Sequence, residues 1–173
     1  MFTNIDRITN ISASSVYAAP DGTPLEKPSA LDADITLPTI SHPTSTINMM
    51  GSYDVADRAR VDNLQLTIGC QTSKEALELL KYENFIIRFA ALVEKAETGQ
   101  SEYVGFTVYA QGHCASSGGQ SLNVGENGTQ DVTVNCIKYR LLQDEDELVN
   151  IDRLAGIMKI AGVDLRESIN RLL

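Results

Sequence analysis

The sequence predicts a mainly antiparallel β protein, a sandwich or barrel-like domain with one short side helix and a C-terminal helix. Apolar and polar residues alternate over residues 31–37, 64–70 and 104–110, which is the period of half-buried strands. The dipeptide Asn127-Gly128 is typical of a tight turn and lies between two such runs, which predicts a hairpin. Only two short stretches have the spacing or capping residues of helices.

Size and charge limit the possible functions. The chain has 173 residues, of which 43% are hydrophobic and 21% charged, so it fits one domain. A fold of this size buries roughly 70% of its unfolded surface. The net charge is −9, with 23 acidic against 14 basic residues. A tight nucleic-acid binder needs a basic stripe, whereas this chain repels DNA at long range.

The three cysteines, Cys70, Cys114 and Cys136, are far apart, which argues against a disulfide framework or a zinc site. This usage suggests synthesis in a reducing host cytoplasm. The first residues lack the basic and apolar regions of a signal peptide, and no apolar run approaches about 20 residues. We therefore expect a soluble protein without a membrane anchor.

Two segments of the N-terminal third carry weak patterns. Residues 1–30 are rich in Ser, Ala, Asn and Pro, which predicts an extended arm that becomes partly ordered on assembly. We expect one short strand near residues 15–18 and a turn at residues 20–22. The main domain then spans residues 31–173. Residues 39–58 are predicted to form a long loop, and such loops are often contact elements.

The middle of the chain predicts a strand, a helix and a second strand. The alternation of residues 64–70 indicates the first strand. Thr72 and Glu75 form a capping-box pair, which begins a short helix that ends at Leu79 or Leu80. Residues 84–93 are apolar on both faces, which predicts a strand that is covered on both sides.

The C-terminal half predicts a long hairpin over residues 101–143. In the return strand the apolar phase switches after Cys136, so a bulge is expected near that residue. The acidic run of residues 144–147 predicts a turn. The apolar stripe that begins at Ile151 predicts a helix ending near Gly162, and Asp164 with Glu167 forms a weaker second capping pair.

No residue set with catalytic spacing emerges. His113 and Cys114 could in principle form a nucleophilic pair or bind a metal, but neighbours on a strand point to opposite faces. The Gly-rich residues 112–128 lack phosphate-binding motifs. The acidic run, which could in principle bind calcium, lacks EF-hand spacing. We predict no enzyme activity, no catalytic, cofactor-binding or metal residues, and no cofactor.

An aromatic-x-Leu strand end, an acidic turn, an Ile-Asp pair and a Gly-Val-Asp follow one another along residues 134–141, 147–152 and 161–164. This ordered set of short motifs resembles the FII-like major tail tube family of contractile-tailed phages and R-type tail-like bacteriocins. Residues 35–38 are similar to the family's Thr-Leu-Pro, residues 50–51 to its Gly-Met loop, and residues 75–77 to the start of its helix. Two motifs differ, because Asp21-Gly22 comes later than usual and residues 48–51 replace Gly-Gly-Met.

This resemblance implies a structural subunit. Six copies would form a ring whose long hairpins join into an inner barrel, and the rings would stack into a tube in the virion. The implied partners are the sheath protein outside, the baseplate hub and tail terminator at the ends, and the tape measure protein and DNA transiently in the lumen. A bacteriocin-like particle would carry only ions. The polar set Tyr103, Thr107, Tyr109 and Gln111 is a candidate wet or intersubunit face.

Two alternatives stay open at this point. The first is the needle tube of a type VI secretion system, which is also a hexameric ring. The second is a monomeric β-sandwich binding module, for instance for carbohydrate. A binding module of that kind needs exposed aromatic residues in a cleft, and the chain has no Trp and only 6% aromatic residues.

Overall fold

The computed structural model describes residues 7–19, 34–48, 50–96, 98–118, 124–125 and 128–172. These residues form eleven strands, two short helices and one 3₁₀ turn, in an antiparallel arrangement throughout. The strands are β1 Arg7–Ala19, β2 Asp34–Thr36, β3 Thr44–Asn48, β4 Ser52–Ala56, β5 Leu64–Gln71, β6 Asn84–Glu94, β7 Ser101–Ser117, β8 Thr129–Gln143, β9 Asp146–Asp152, β10 Ile157–Ile160 and β11 Val163–Asp164. The helices are α1 Lys74–Glu78 and α2 Glu167–Asn170, and the 3₁₀ turn is Leu79–Lys81.

Strand β8 is the centre of a nine-stranded sheet. One of its edges pairs with β7, which continues the sheet through β6 to β1. Its other edge is divided, because the first half pairs with β5 and the second half pairs with β9. The sheet therefore branches at β8, with β5 and β2 on one side and β9, β10 and β11 on the other. The described residues form no closed barrel.

Two bulges lie where the sheet branches. In the β7–β8 register Gln111 pairs with Lys138 and Gly112 with Cys136, so Ile137 is the extra residue. A second shift between Cys114 and Ser116 follows on β7. Bulges bend strands and allow one strand to serve two packed layers. The bulge predicted near residue 136 is confirmed, and it separates the β5 half of β8 from the β9 half.

The inward side chains of both branches share one hydrophobic core. Phe85 and Ile87 of β6 lie in the same buried cluster as Leu66 of β5, Val134 of β8 and Ile151 of β9. A smaller cluster at the far end of β6 and β7 is formed by Ala91, Val93, Val104 and Phe106. There Phe89 stacks on Phe106, with ring centroids 5.0 Å apart. The outward side chains of the two branches therefore lie on surfaces that face away from this core.

Several predicted elements are confirmed. The strand of residues 64–70 is β5, and the hairpin of residues 101–143 is β7 with β8. The turn at the acidic run is also present, with Asp144 at a φ of 50°. The Asn127-Gly128 turn signal lies partly outside the described residues. The domain boundary between residues 30 and 31 stays a prediction.

The predicted helix between Ile151 and Gly162 is wrong. Residues 151–160 instead form the end of β9, a turn and β10. Asp152 Oδ1 accepts hydrogen bonds from the backbone N–H groups of Leu154 and Ala155, both at 2.9 Å, and Gly156 has a φ of 67°. Both features close a tight turn and stop a helix. The only C-terminal helix described is α2, which has four residues and follows Asp164.

Other expectations need correction. The loop predicted over residues 39–58 contains the hairpin β3–β4, and the short strand near residues 15–18 lies within the longer strand β1. Strand β6 has one buried face only, since Ile86 and Leu92 are half-exposed. The Thr72 part of the capping box is not formed. Its hydroxyl is buried with no hydrogen-bond partner in the described part of the chain, while its N–H donates to Gly128 O at 2.8 Å.

Candidate assembly surfaces

One surface of the protein, the polar face, is composed of the outward side chains of β2, β5 and the first half of β8. Each of these is polar or Gly, none is Lys or Arg, and none is aromatic; the members are Asp34, Thr36, Gln65, Thr67, Gly69, Gln71, Thr129, Asp131, Thr133 and Asn135. Asn135 Oδ1 accepts hydrogen bonds from Asn63 Nδ2 at 3.1 Å and from Gln65 Nε2 at 3.3 Å. These amide contacts link β5 to β8 across the surface.

The negative charge of the polar face is concentrated around Gly69. In the register Asp34 of β2 and Asp131 of β8 both pair with Gly69 of β5. A Cβ at Gly69 would lie 3.0 Å from Asp131 Oδ1 and 3.5 Å from Asp34 Cβ. The Asp131 carboxylate therefore lies over this glycine, and the Asp34 side chain begins beside it on the opposite strand.

A second surface, the mixed face, is composed of outward side chains of β6, the first half of β7, the second half of β8, and β9. It combines apolar, aromatic and charged groups: Ile86, Arg88, Leu92, Tyr103, Thr107, Tyr109, Gln111, Lys138, Arg140, Asn150 and Asp152. A groove of about 440 Å³ crosses it, lined among others by Ile86, Tyr109, Arg140 and Asn150. The predicted set Tyr103, Thr107, Tyr109 and Gln111 lies here, on one side of β7.

Ion pairs hold the charged groups of the mixed face in place. Lys138 Nζ lies 3.3 Å from Asp152 Oδ2, and Arg140 Nε lies 2.5 Å from Glu147 Oε2. Burial alone would raise the pKa of Glu147, but hydrogen bonds from Arg140 and Asn150 lower it overall. The pKa of Asp152 is also lowered, since burial is outweighed by hydrogen bonds from the Ala155 N–H and Lys138. Both carboxylates therefore stay ionised around neutral pH.

Strand β1 carries exposed apolar side chains at the border of the sheet. It pairs with β6 along one edge and with no other described strand along its second edge. Ile8 is 54% exposed and Ile11 49% exposed, although they pair with Val93 and Ala91, which belong to the smaller core cluster. A long open edge with apolar side chains is a ready template for another chain.

The hairpin β3–β4 forms a separate two-stranded sheet, and every residue of its two strands is exposed. Three apolar side chains, Ile47, Tyr53 and Val55, are exposed on it. Its base is tied to the main domain.

The ties at this base are hydrogen bonds. Asp62 N donates to Ser41 O at 2.9 Å, and Ser41 Oγ donates to Asp62 Oδ2 at 3.0 Å. His42 Nδ1 contacts Arg60 O at 2.7 Å. The Arg153 guanidinium, from the β9–β10 turn, donates to Asp62 O. The hairpin is therefore held at its root and projects without core contacts.

The residues considered for catalysis do not form a reactive pair. His113 Nδ1 lies 3.5 Å from Glu83 Oε1, whereas Cys114 Sγ donates to Leu79 O at 3.3 Å. Burial raises the pKa of the Cys114 thiol, which disfavours the thiolate needed for attack.

The acidic run after β8 has structural contacts. Asp144 Oδ1 accepts a hydrogen bond from Gly105 N at 3.0 Å, which ties the β8–β9 turn to β7. Glu147 is engaged by Arg140. Within the described residues no group of three or more His, Cys, Asp or Glu side chains could hold a metal ion.

Sequence reasoning missed the polar face and the exposed edge of β1. The face depends on the pairing of β5 with β8, which brings residue 65 beside residue 135. Alternation showed that Gln65 and Asn135 point outward, but no local signal predicts that they are neighbours. Among the described helices, none is long and apolar enough to cross a membrane.

The fold is a mainly antiparallel β domain with an open edge, a projecting hairpin and two broad strand faces, and such open edges are typical of proteins that pair with other chains. The model of the family "Phage tail tube protein FII" matches residues 28–173. Because this match covers most of the chain, the protein belongs to the phage tail tube FII family. It is therefore a structural subunit of a tail tube and not an enzyme, which confirms the resemblance inferred from the motifs.

Comparisons outside the family model are weaker. No curated protein matches the chain. Two similar solved chains come from cryo-EM structures of an extracellular contractile injection system. One is from the PVC sheath-tube complex in the extended state, with a TM-score of 0.47 and 12% identity over 76% of this chain and 88% of that chain. The other is from the PVC sheath/tube terminator in the extended state, with a TM-score of 0.46 and 9% identity over 75% and 93%.

Proposed function

We propose that six copies of this protein form a ring, that rings stack into a hollow tube inside a contractile sheath, and that the bore conducts DNA. In a bacteriocin-like particle the bore carries only ions. The terminal rings contact the baseplate hub and the tail terminator, and the tape measure protein occupies the lumen before ejection. The observation that carries this proposal is the open β1 edge with its exposed isoleucines, in a protein of the tail tube family.

Ring formation would use the edge of β1. Strand addition satisfies the backbone groups of an open edge, and it removes the same edge as a site of uncontrolled association. It would also cover Ile8 and Ile11. Burying an isoleucine contributes about 1.5–3 kcal/mol relative to leaving it exposed. Burial of these two side chains would therefore stabilise the contact between subunits in addition to the main-chain hydrogen bonds.

Stacking would use the hairpin β3–β4. An isolated two-stranded hairpin is marginally stable in water, so a hairpin without core contacts gains order from a partner. Ile47 and Tyr53 are paired across its two strands, and both are exposed. Because the root is fixed by hydrogen bonds from Ser41, His42 and Arg153, the hairpin projects from a defined position towards a copy in the next ring.

Replacing both isoleucines of the edge tests the ring contact. The double variant Ile8→Glu, Ile11→Glu should remain monomeric at concentrations where the unchanged protein forms rings or tubes, measured by light scattering coupled to size exclusion. Its urea unfolding should change little, because both side chains are already about half exposed. The control is Leu154→Glu, at a residue that is 76% exposed in the β9–β10 turn, and it should assemble.

Two results would count against the proposal. Assembly of the double variant at the normal concentration would show that β1 is not the ring contact. An unchanged protein that stays monomeric at every concentration, and is missing from tail-like particles in lysates of its source, would contradict the tube itself.

A further inference from the structure

We infer that Arg153, a residue of the β9–β10 turn, is a positioning residue that sets the direction of the hairpin β3–β4 and, through it, the rotation between stacked rings. This inference rests on the proposed function, in which the hairpin contacts a copy in the next ring. It adds the residue that orients this contact. Every residue of the two hairpin strands is exposed, so the direction of the hairpin is decided at its root.

The first contacts at the root join the two arms of the hairpin to each other. Residues 41–43 precede β3, and residues 57–62 follow β4. Asp62 and Ser41 form two hydrogen bonds, one through the backbone at 2.9 Å and one between side chains at 3.0 Å. Asp57 N donates to Pro43 O at 2.8 Å. These bonds close the hairpin, but they do not determine its angle to the main sheet.

Arg153 supplies a directional contact between the root and the main domain. Ile40 and Val61 pack against the hydrophobic core, but apolar contact has no preferred direction. In contrast, Arg153 Nη2 donates to Asp62 O and lies 3.5 Å from Val61 O, so one nitrogen meets two successive carbonyl groups of the root. A hydrogen bond from a charged donor is roughly twice as strong as a neutral one. The guanidinium therefore fixes the angle of the root.

The backbone of Arg153 is itself held in place. Its N–H donates to Ile137 O at 3.2 Å, and Ile137 is the extra residue of the β8 bulge, which β7 leaves unpaired. On the other side, Asp152 Oδ1 accepts the hydrogen bonds of Leu154 N and Ala155 N that close the turn. Arg153 therefore connects the hairpin to the point at which the sheet branches.

A small change of angle at the root produces a large displacement at the tip. Each strand of the hairpin has five residues, and a strand rises about 3.3 Å per residue, so the tip lies about 17 Å beyond the root. A rotation of roughly 10° would move Ile47 and Tyr53 by about 3 Å over that length. Protein interfaces are packed as densely as protein interiors, so such a shift breaks or relocates the contact with the next ring.

Spin-label distances in free subunits test the role of Arg153 without any assembly. Labels would be attached to Ser52→Cys near the tip and to the exposed Tyr103→Cys in β7. The background is Cys114→Ala, since the other two cysteines are buried. The unchanged Arg153 should give one narrow distance, and Arg153→Met a distribution at least twofold broader. Arg153→Lys keeps a charged donor and should restore most of the narrowing. An equally narrow distribution at the same distance in Arg153→Met would overturn the inference.

Two controls separate the orientation of the hairpin from folding and from charge. The urea midpoints of Arg153→Met and Arg153→Lys should equal that of the unchanged protein, because Arg153 is exposed. Lys159→Met removes the same charge from an exposed position of β10 and should keep the narrow distance. Unfolding of both Arg153 variants would overturn the inference, since the residue would then hold the domain together. A distribution that broadens equally in Lys159→Met would overturn it too.

Assembled tubes give the second readout. The rotation between successive rings, measured by electron microscopy, should differ by several degrees or vary along the tube in Arg153→Met, and Arg153→Lys should restore it. Single rings of Arg153→Met that do not stack would also support the inference, whereas an unchanged rotation would overturn it. A failure of the unchanged protein to form tubes would instead contradict the proposed function. The spin-label distances would then still decide the role of Arg153, so the two failures are distinguishable.

Discussion

Gly112 lies opposite Cys136 beside the bulged residue Ile137, and the two backbones approach closely there. A Cβ at residue 112 would lie 2.0 Å from Asn135 O and 2.9 Å from Cys136 Cα. Both are backbone atoms, so a side chain cannot be accommodated without moving β8. The corner at which β8 passes from β5 to β9 therefore requires a glycine on β7.

Gly112→Ala should lower the free energy of unfolding by about 2–3 kcal/mol, because it overpacks the core at a rigid backbone position. Urea unfolding checks this value. The control is Gly105→Ala in the same strand, where a Cβ would meet only Asp144 Oδ1, at 3.5 Å. Equal stability of the two variants would contradict the close approach described here.

Cys136 provides a pH test of the core. Burial raises the pKa of its thiol from 9.0 to about 11, although the Leu66 backbone and the Arg153 charge lower it slightly. The folded state favours the neutral thiol. The contribution of Cys136 to the free energy of unfolding is therefore fully present below pH 9.0 and is lost as the pH rises towards about 11. The complete loss corresponds to about 3 kcal/mol of unfolding free energy.

Unfolding in urea at pH 8 and pH 10.5 should therefore show a smaller alkaline loss of stability in Cys136→Ala than in the unchanged protein. Burial, and to a smaller extent the neighbouring Cys136, raises the pKa of Tyr139 to about 12, so removal of Cys136 also reduces the alkaline loss that Tyr139 causes. Parallel pH profiles of the two proteins would mean that the thiol is not buried as the structure has it.

At the scale of elements, the sequence predicted the long strands that have one buried face, such as β5, β7 and β8, and missed the hairpin strands that have none. Strand β5 alternates buried residues with exposed or half-buried ones without interruption, and its prediction was confirmed. The strands of the hairpin β3–β4 are exposed throughout, so they carry no period-two signal and were predicted as loop. The alternation of apolar and polar residues arises because one face of a strand is buried, so a strand outside the core shows no such alternation in its sequence.

The wrong helix at residues 151–160 has a related cause. Ile151 and Met158 are buried in strands β9 and β10, but they are seven residues apart, which is also a helical repeat. Asp152 bonds to the N–H groups two and three residues ahead, as a helix N-cap does. Only the pairing of β9 with β8 and β10 decides between a helix and two strands here, and that pairing is partly long-range.

The hairpin β3–β4 should be dispensable for folding and necessary for stacking. Ile47→Ser with Tyr53→Ser removes an exposed cross-strand pair, so the free energy of unfolding should change by less than about 0.5 kcal/mol. Tube formation, followed by sedimentation, should be lost while single rings persist. Thr46→Ser, a milder change in the same strand, should leave sedimentation normal. Tubes of normal length from the double variant would exclude the hairpin as a stacking contact.

At the scale of the whole molecule, the net charge of −9 opposes assembly, since every subunit repels its neighbours. Salt screens this repulsion, with a Debye length of about 10 Å at 0.1 M and about 3 Å at 1 M. The critical concentration for tube formation should therefore fall several-fold as NaCl increases over this range. A critical concentration that rises with salt would show that ion pairs between subunits dominate.

The assembly surfaces also belong to this scale, which limits what a single sequence can predict about them. The ordered motifs indicated the family, and composition excluded a tight DNA binder. Which residues share a face depends on pairings such as Gln65 with Asn135, and these follow from the fold. The candidate face that was predicted from the sequence lies within one strand, β7; its residues are Tyr103, Thr107, Tyr109 and Gln111.

Electron microscopy of the purified protein, and of lysates from its source, tests the central claim most directly. The account predicts rings or tubes with an open central bore that contain this protein. A uniformly monomeric globule, together with tail-like particles that lack the protein, would contradict it.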